Sequence, residues 1–367
     1  MIRKYYTGSL IFTAVCLAIG TWLGWQLSGT VRGTFDVLWI IVVLSVLEVS
    51  LSFDNAVVNT TVLRDLDEKW RRRFLTWGII VAVFGMRVVF PLAIVAIAAH
   101  LGPIEALRLA ATNPPEYERI ITSAHIGISG YGGAFLAMVG LKFFFDCDKQ
   151  VHWIRLIEER LSKLSSVPAM EIAVVLAALW GISTFLTVEE AHSFIIAGIG
   201  GLLTFIAVEA LNAILQGPKD VTMVVARSGL ASFLYLQVLD ASFSFDGVIG
   251  AFALSNNLFV IALGLGIGAM FVRSMTIMLV DRGTLGQYRY LEHGAFWAII
   301  ALAGIMLVSA IEHVHIPETV TGLVGALLIG ASFWWSVRHN RRHPEEPSEL
   351  VLPTGAQNAE DQPLGGR

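Results

Sequence analysis

Long apolar runs alternate with short polar stretches along most of the chain. A helix needs about 20 predominantly apolar residues to cross a bilayer. The pattern therefore predicts an all-α fold, a polytopic transmembrane helix bundle of about ten spans (9–10). The predicted spans cover residues 8–27, 37–62, 74–99, 126–145, 169–188, 193–215, 230–254, 258–280, 294–311 and 317–337.

The segments between and after the spans have different characters. Residues 100–124 contain two adjacent prolines and are expected to form a loop. Residues 147–167 combine apolar with charged positions, which predicts an amphipathic helix lying at the membrane surface. We expect one transmembrane domain over residues 1–337. Residues 338–367, rich in Pro, Glu, Arg and Gly, are expected to form a disordered cytoplasmic tail.

One polar motif interrupts the second predicted span and recurs in the seventh. Residues 46–55 read Val-Leu-Glu-Val-Ser-Leu-Ser-Phe-Asp-Asn, and residues 238–247 read Val-Leu-Asp-Ala-Ser-Phe-Ser-Phe-Asp-Gly. Six of ten positions are identical, and the acid at Glu48 is matched by Asp240. Acids inside a membrane are costly and usually functional. The two copies are therefore the first candidates for a functional site.

The surroundings of the two motifs also correspond. The next span carries an arginine in each half, Arg87 and Arg273, and the span after that carries Gly-Ala-Phe at residues 133–135 and 294–296. Spans two and seven are five apart, so they run in opposite directions. We therefore predict inverted-topology repeats of three helices over residues 37–146 and 230–311, an arrangement that places substrate sites near the bilayer midplane and suits alternating access.

Composition and charge agree with a multi-pass membrane protein. Hydrophobic residues make up 55% of the chain and charged residues 15%, whereas soluble domains have about 25% charged residues. The predicted inner stretches hold 19 of the 25 lysines and arginines. By the positive-inside rule both termini are cytoplasmic, and the expected location is the bacterial inner (plasma) membrane. The expected partners are the lipid bilayer, a metal ion and protons, with no nucleic acid.

The motif residues offer oxygen atoms to a cation. Such hard ligands suit Mn²⁺, Ca²⁺ and Mg²⁺ better than Cu⁺ or Zn²⁺. Four acids against two arginines leave a formal charge of −2 for a divalent ion. A straight helix cannot direct both acids of one motif to one point, so either the helix breaks near the serines or each acid faces a different neighbour. The predicted metal ligands are Glu48, Ser52, Asp54, Asn55, Asp240, Ser244 and Asp246, with Arg87 and Arg273 balancing charge.

The motifs Glu48-x-x-x-Ser52-x-Asp54-Asn55 and Asp240-x-x-Phe243-Ser244-x-Asp246 resemble the signature of the TerC family of integral membrane proteins, allied to the LysE group of exporters. The resemblance covers spans two to four and seven to nine. It implies export of a divalent metal cation, Mn²⁺ first and Ca²⁺ second, with no tightly bound cofactor. Gly247 departs from the family pattern, which has Ser or Asn there, and removes one side-chain ligand. Spans five and six are longer than in the usual members and indicate a divergent branch.

Other interpretations of the same residues remain open. The four acids and two arginines could form an internal ion-pair network, with Glu48 or Asp54 meeting Arg273 and Asp240 or Asp246 meeting Arg87. Such a network would hold the bundle together. A membrane assembly or metallation factor without transport activity is a separate alternative, although a scaffold needs no buried acids. An enzyme is not expected, because the motif serines have acids rather than histidine at short range. Glu209, an acid inside span six, is either a proton-carrying group or a partner for a hydroxyl or an arginine.

The expected energy source is a proton gradient. The chain contains no Gly-x-x-x-x-Gly-Lys-Ser/Thr loop, so no nucleotide site is indicated. A carboxylate can hold either a metal ion or a proton. Metal and protons then compete for the same oxygen atoms, which is the requirement for proton antiport.

Overall fold

The computed structural model describes residues 5–64, 66, 68–146, 151–164, 167, 169–216, 229–252, 254–255, 257–283, 287–311, 314, 316 and 318–342. These residues form helices and connecting turns, with no β-strand among them. A π-helix, Val81–Val89, lies between α4 and α5. The α-helices are α1 Thr7–Ser28, α2 Val31–Leu51, α3 Phe53–Arg64, α4 Glu68–Ile80, α5 Phe90–Ala98, α6 Pro103–Thr112, α7 Pro114–Ser123, α8 His125–Phe144, α9 Arg155–Leu164, α10 Met170–Ser183, α11 Val188–Gln216, α12 Gly229–Phe252, α13 Leu258–Asp281, α14 Leu291–Ser309 and α15 Glu318–Arg342.

The bundle confirms the predicted all-α polytopic fold. Within the described part of the chain, eight helices are long and apolar enough to cross a membrane. The other two predicted spans are also helical. Met170–Ser183 is an apolar helix of 14 residues, and Gly229–Phe252 is a helix of 24 residues that carries the second motif. Each of the ten predicted segments is therefore helical, although the second and the third are each divided into consecutive helices.

Two predicted non-helical segments differ from the structure. Residues 103–123 form two short amphipathic helices, α6 and α7, where a loop was expected. Their buried residues, among them Ala106 and Tyr117, pack in one cluster with Val248 and Phe252 of α12. The tail prediction is wrong for residues 338–342, because α15 continues to Arg342. Residues 343–367 lie outside the described part.

Contacts define two opposite ends of the bundle. At one end, Arg64 lies 3.8 Å from Glu292, and the indole N–H of Trp297 donates to Glu158 at 3.0 Å. At the other end, the rings of Tyr117 and Phe252 are 6.0 Å apart. Helix α8 connects the ends, since it starts beside α7 and its Phe144 contacts Trp297. The first end therefore brings together residues of three stretches predicted to be cytoplasmic, 63–73, 147–168 and 281–293.

This arrangement fixes the relative direction of the two motif helices. Helix α3 ends at Arg64, at the Glu292 end of the bundle, whereas α12 ends at Phe252, at the Tyr117 end. The two motifs therefore run in opposite directions through the bundle. The predicted two-fold relation between the three-helix repeats stays a prediction.

Glycines bring helix α13 close to the first motif. A Cβ atom at Gly264 would lie 2.6 Å from Cβ of Leu44, and one at Gly268 would overlap the side chain of Glu48. These glycines are four apart and share one face of α13. The hydroxyl of Ser45 donates to the Gly264 carbonyl at 3.0 Å across this contact. Small residues thus place the α13 backbone directly against the helix that carries Glu48.

Candidate functional site

The first motif lies where one span is broken into two helices. Helix α2 ends at Leu51, Ser52 has the non-helical angles φ −98° and ψ 17°, and α3 begins at Phe53. The Ser52 hydroxyl donates to Oε1 of Glu48 at 3.0 Å. Glu48 is 2% exposed. Glu48 and Asn55, seven positions and thus about two helical turns apart, lie on one face and border one cavity.

A π-helix positions the first arginine. Residue 91 is proline, which cannot donate to the carbonyl of residue 87 and crowds it, so the turn before Pro91 lacks that α-helical hydrogen bond. The wider turns place Arg87 with Nη2 donating to Oε1 of Glu48 and Nη1 donating to the carbonyl of Ala82 at 2.7 Å. Arg87 is 5% exposed. The pair is thus buried, and the helix backbone helps to satisfy the guanidinium. Segments of π-helix are frequent at functional sites.

The second motif lies on α12, which is continuous through its serines, unlike the first. Asp240 is buried, and its Oδ1 accepts a hydrogen bond of 2.7 Å from the amide of Asn59 on α3. A Cβ atom at Gly247 would lie 3.3 Å from Oε2 of Glu48. The helix that follows the first motif therefore binds the acid of the second motif, and Gly247 of the second motif adjoins the acid of the first. The position at which the TerC pattern has a polar side chain is the one that adjoins Glu48.

Arg273 is held more loosely than Arg87. Its Nη2 lies 3.9 Å from Oδ2 of Asp240, and this nitrogen makes no hydrogen bond within the described residues. Its guanidinium carbon stacks 3.8 Å from the ring centre of Phe74. A Cβ atom at Gly78 would lie only 2.7 Å from the same Nη2. The guanidinium therefore lies between helix α4 and the acid.

The two motifs and the two arginines border one partly open cavity of about 20 Å³. A volume of this size holds one water molecule or one ion. Its polar lining comes from both halves of the chain. The polar lining residues are Glu48, Ser52, Asn55, Asn59, Arg87, Asp240, Arg273 and Thr276.

The charges around this cavity balance among the described side chains. Glu48 and Asp240 contribute two negative charges, and Arg87 and Arg273 contribute two positive charges. The formal charge is therefore zero rather than the −2 expected from four acids. The arginines pair within their own repeats, Arg87 with Glu48 and Arg273 with Asp240. The alternative pairing across repeats is wrong for these residues.

Several buried polar atoms near the cavity have no hydrogen-bond partner among the described residues. They include the side-chain carbonyl oxygens of Asn55 and Asn59 and the Nε of Arg87. Buried polar groups are normally hydrogen-bonded, so each exception requires an explanation. The orientation of the Asn59 side-chain amide follows from its partner, because only the NH₂ group can donate to the Asp240 carboxylate. Its oxygen is therefore available to a cation.

The other predicted ligands lie apart from this cavity or outside the described part. Asp54 is 7% exposed, and its Oδ2 lies 3.1 Å from the place of a Cβ at Gly325 on α15. Ser244 is buried with no hydrogen-bond partner among the described residues and is not in the lining. The side chain of Asp246 is outside the described part. The structure thus gathers Glu48, Ser52, Asn55 and Asp240 but not Asp54.

Glu209 is remote from the cavity. Its Oε2 lies 3.7 Å from Nζ of Lys142 on α8, and both side chains are about half exposed. Its partner is therefore a lysine, which neither alternative for this residue included. The pair lies on the outer surface of the bundle, where α8 meets α11.

Sequence reasoning missed one buried cluster. The amphipathic helix predicted over residues 147–167 would have Glu158 on its charged face, but Glu158 is 1% exposed. It accepts hydrogen bonds from the backbone N–H groups of Trp153 and Ile154 and from the indole of Trp297. Its carboxylate also lies 3.5 Å from a ring nitrogen of His293. The sequence feature that could have indicated burial of this acid is Trp153, an aromatic residue five positions before Glu158.

A separate question is whether His, Cys, Asp and Glu alone form a metal centre. Within the described residues, no group of three or more such side chains is placed to hold a metal ion. A cation in the central cavity would therefore rely on amide and hydroxyl oxygens beside the two acids. Mn²⁺, Ca²⁺ and Mg²⁺ accept such ligands.

Comparison with known proteins gives one family match. The sequence model of the family described as "Protein of unknown function (DUF475)" matches residues 53–343, which is more than half of the chain. No curated protein and no solved structure matches the chain.

Proposed function

The chain belongs to the DUF475 family, and for this member we propose the function of a secondary transporter that exports a divalent cation, first Mn²⁺ and second Ca²⁺. One observation carries the proposal. Carboxylates from two motifs that run in opposite directions border a single cavity of about 20 Å³. Oppositely oriented repeats with a site at their interface are typical of alternating-access transporters.

In this proposal the arginines neutralise the buried carboxylates when the site holds no cation. Each buried carboxylate needs a partner, since an unpaired buried charge is very costly. Arg87 and Arg273 supply these partners. An entering divalent ion takes oxygen ligands from Asp240, Asn55 and Asn59 and displaces the looser guanidinium, that of Arg273.

Proton antiport supplies the driving force. Export needs the carboxylates ionised when the metal binds from the cytoplasm. After the metal is released, a proton from the other side of the membrane can occupy a carboxylate oxygen. The protein then returns to the state that is open to the cytoplasm. The end of the bundle with Arg64 and Glu292 is assigned to the cytoplasm, in the bacterial inner membrane, because it carries the excess of lysine and arginine.

The decisive experiment is metal flux in proteoliposomes that contain the purified protein and an entrapped metal-sensitive dye. Mn²⁺, Ca²⁺, Mg²⁺ and Zn²⁺ are compared at matched concentrations. We expect Mn²⁺ flux well above protein-free vesicles, with Ca²⁺ second and Zn²⁺ low. Glu48→Gln and Asp240→Asn should each abolish the flux, whereas Glu189→Gln, at an exposed position, should retain it.

A membrane assembly or metallation factor is the second candidate. The zero net charge of the described lining favours it, because a static scaffold needs only a neutral buried ion-pair network. The same experiment distinguishes the two. A folded protein that moves none of the four metals supports the scaffold and contradicts the transporter.

A further inference from the structure

The structure assigns to Phe74 and Gly78 a niche that holds the Arg273 guanidinium beside Asp240 without letting the two groups close on each other. The guanidinium carbon lies 3.8 Å from the Phe74 ring centre. Its Nη2 occupies space that any side chain at position 78 would fill, with a Cβ only 2.7 Å away. The two niche residues are four apart and share one face of α4.

The niche competes with Asp240 for the same cation. An arginine over an aromatic face gains electrostatic attraction, and the gain grows when the contact is desolvated. Phe74 is fully buried, and its ring packs edge-on against Phe233 of α12, with centroids 6.4 Å apart. The ring is therefore held in place. Nη2 remains 3.9 Å from Oδ2 of Asp240, beyond hydrogen-bond distance.

Arg87 binds its acid more directly than Arg273 does. Its Nη2 donates directly to Glu48, and its Nη1 is bonded to a backbone carbonyl. Glu48 accepts hydrogen bonds from Arg87 and Ser52 at Oε1, whereas Oδ2 of Asp240 has only a distant ion pair with Arg273. The difference between the pairs indicates that the ion first binds at Asp240 and that it displaces the guanidinium of Arg273.

This inference rests on the proposed function and deepens it. Arg273 acts as a tethered cation that alternates with the transported ion at Asp240. Phe74 and Gly78 act as positioning residues, because they stabilise the guanidinium in its withdrawn place. Losing the niche should drive Arg273 onto Asp240, which weakens ion binding. Losing Arg273 should instead tighten binding and slow release.

The test measures Mn²⁺ affinity of the purified protein in nanodiscs and the KM and Vmax of Mn²⁺ flux. Phe74→Leu and Gly78→Ala should each raise the dissociation constant and KM by roughly fivefold to thirtyfold, the factor that a desolvated cation–π contact represents. Vmax should change little. Phe74→Tyr keeps the ring face and should bind Mn²⁺ like the parent protein.

Matched controls separate the niche from general packing. Phe135 is equally buried and packs edge-on against Phe205, so Phe135→Leu should leave affinity unchanged. A Cβ at Gly304 meets no atom within 4 Å, so Gly304→Ala should be silent. In an Arg273→Gln background, Phe74→Leu should lose its effect on affinity, because the group that it positions is gone.

The outcomes distinguish the two proposals. A parent protein that neither binds nor moves Mn²⁺ contradicts the transporter itself. A parent that binds Mn²⁺, with Phe74→Leu and Gly78→Ala folded and unchanged in affinity, overturns the niche alone. An equal effect of Phe74→Leu with and without Arg273 also overturns it. If Arg273→Gln does not fold, the comparison of Phe74→Leu with Phe74→Tyr decides.

Discussion

Asn59 on α3 donates its amide to Asp240 on α12 at 2.7 Å, although the two residues are 181 positions apart. The bond joins the first motif helix to the acid of the second motif. It also occupies one carboxylate oxygen and leaves the Asn59 carbonyl oxygen without a partner in the described residues. The connection between the two halves is therefore also a set of oxygen ligands.

Replacing Asn59 by leucine should destabilise the protein. Hydrogen bonds to charged groups contribute about 1.5–3 kcal/mol to stability, and the leucine offers Asp240 no donor. We expect a loss of this size in the free energy of unfolding, read as a lower melting temperature in detergent. Asn113→Ala, at an exposed helix end, is the control. Equal melting temperatures for Asn59→Leu and the parent protein would show that the bond is unimportant.

The two arginines should differ in their effect on stability. Removing one partner of a buried ion pair costs about 3–5 kcal/mol. We expect Arg87→Gln to approach this range, because Glu48 is engaged by it directly. Arg273→Gln should cost clearly less, since its pair with Asp240 is 3.9 Å long. The double change Glu48→Gln with Arg87→Gln should recover part of the loss. The reverse order of the two arginines would contradict the assigned pairing.

More of the fold than of the candidate site could be predicted from the sequence. Span length and the repeated motif are read directly from apolar runs and identities, so the helices and the opposite directions of the motifs followed from the sequence. The partners of Glu48 and Asp54 did not, because periodicity gives the face of a helix but not the neighbour that it meets. Asp54 faces α15, and Arg87 pairs within its own repeat. Pro91, four residues after Arg87, was the available signal for the irregular helix.

The helices of residues 103–123 were missed for a related reason. Two adjacent prolines indicated a loop, but proline is also favoured at the first position of a helix. Both α6 and α7 begin at such a proline.

Helix α9 should depend on Glu158 for its attachment to the bundle. Glu158→Gln puts an NH₂ group among three N–H donors, so the melting temperature should fall. The neighbouring Glu159, which pairs with Arg155 at the surface, is a matched control. Exposed pairs of this kind contribute about 0–1 kcal/mol. Equal destabilisation by Glu158→Gln and Glu159→Gln would contradict the cluster.

Topology can be tested by labelling single cysteines in intact and opened cells. Lys69→Cys, at the Glu292 end of the bundle, should react only after the cells are opened. Glu105→Cys and Glu189→Cys should react with a membrane-impermeant reagent in intact cells. Labelling of all three from the same side would contradict the assigned orientation.

Proton coupling predicts a specific response to pH. An imposed pH gradient should drive Mn²⁺ movement in proteoliposomes without any metal gradient, and a protonophore should collapse it. Glu209→Gln should leave this response intact, because Glu209 pairs with Lys142 far from the cavity. Flux that follows the membrane potential alone would indicate a uniporter.

The central claim is that a single ion touches both motifs, and the stoichiometry of Mn²⁺ binding tests it most directly. Equilibrium dialysis of the purified protein in nanodiscs should give one bound Mn²⁺ per chain. Glu48→Gln or Asp240→Asn should each remove that ion, with both variants folded and monodisperse. Two ions per chain, with each variant losing one, would show two separate sites and contradict the shared cavity.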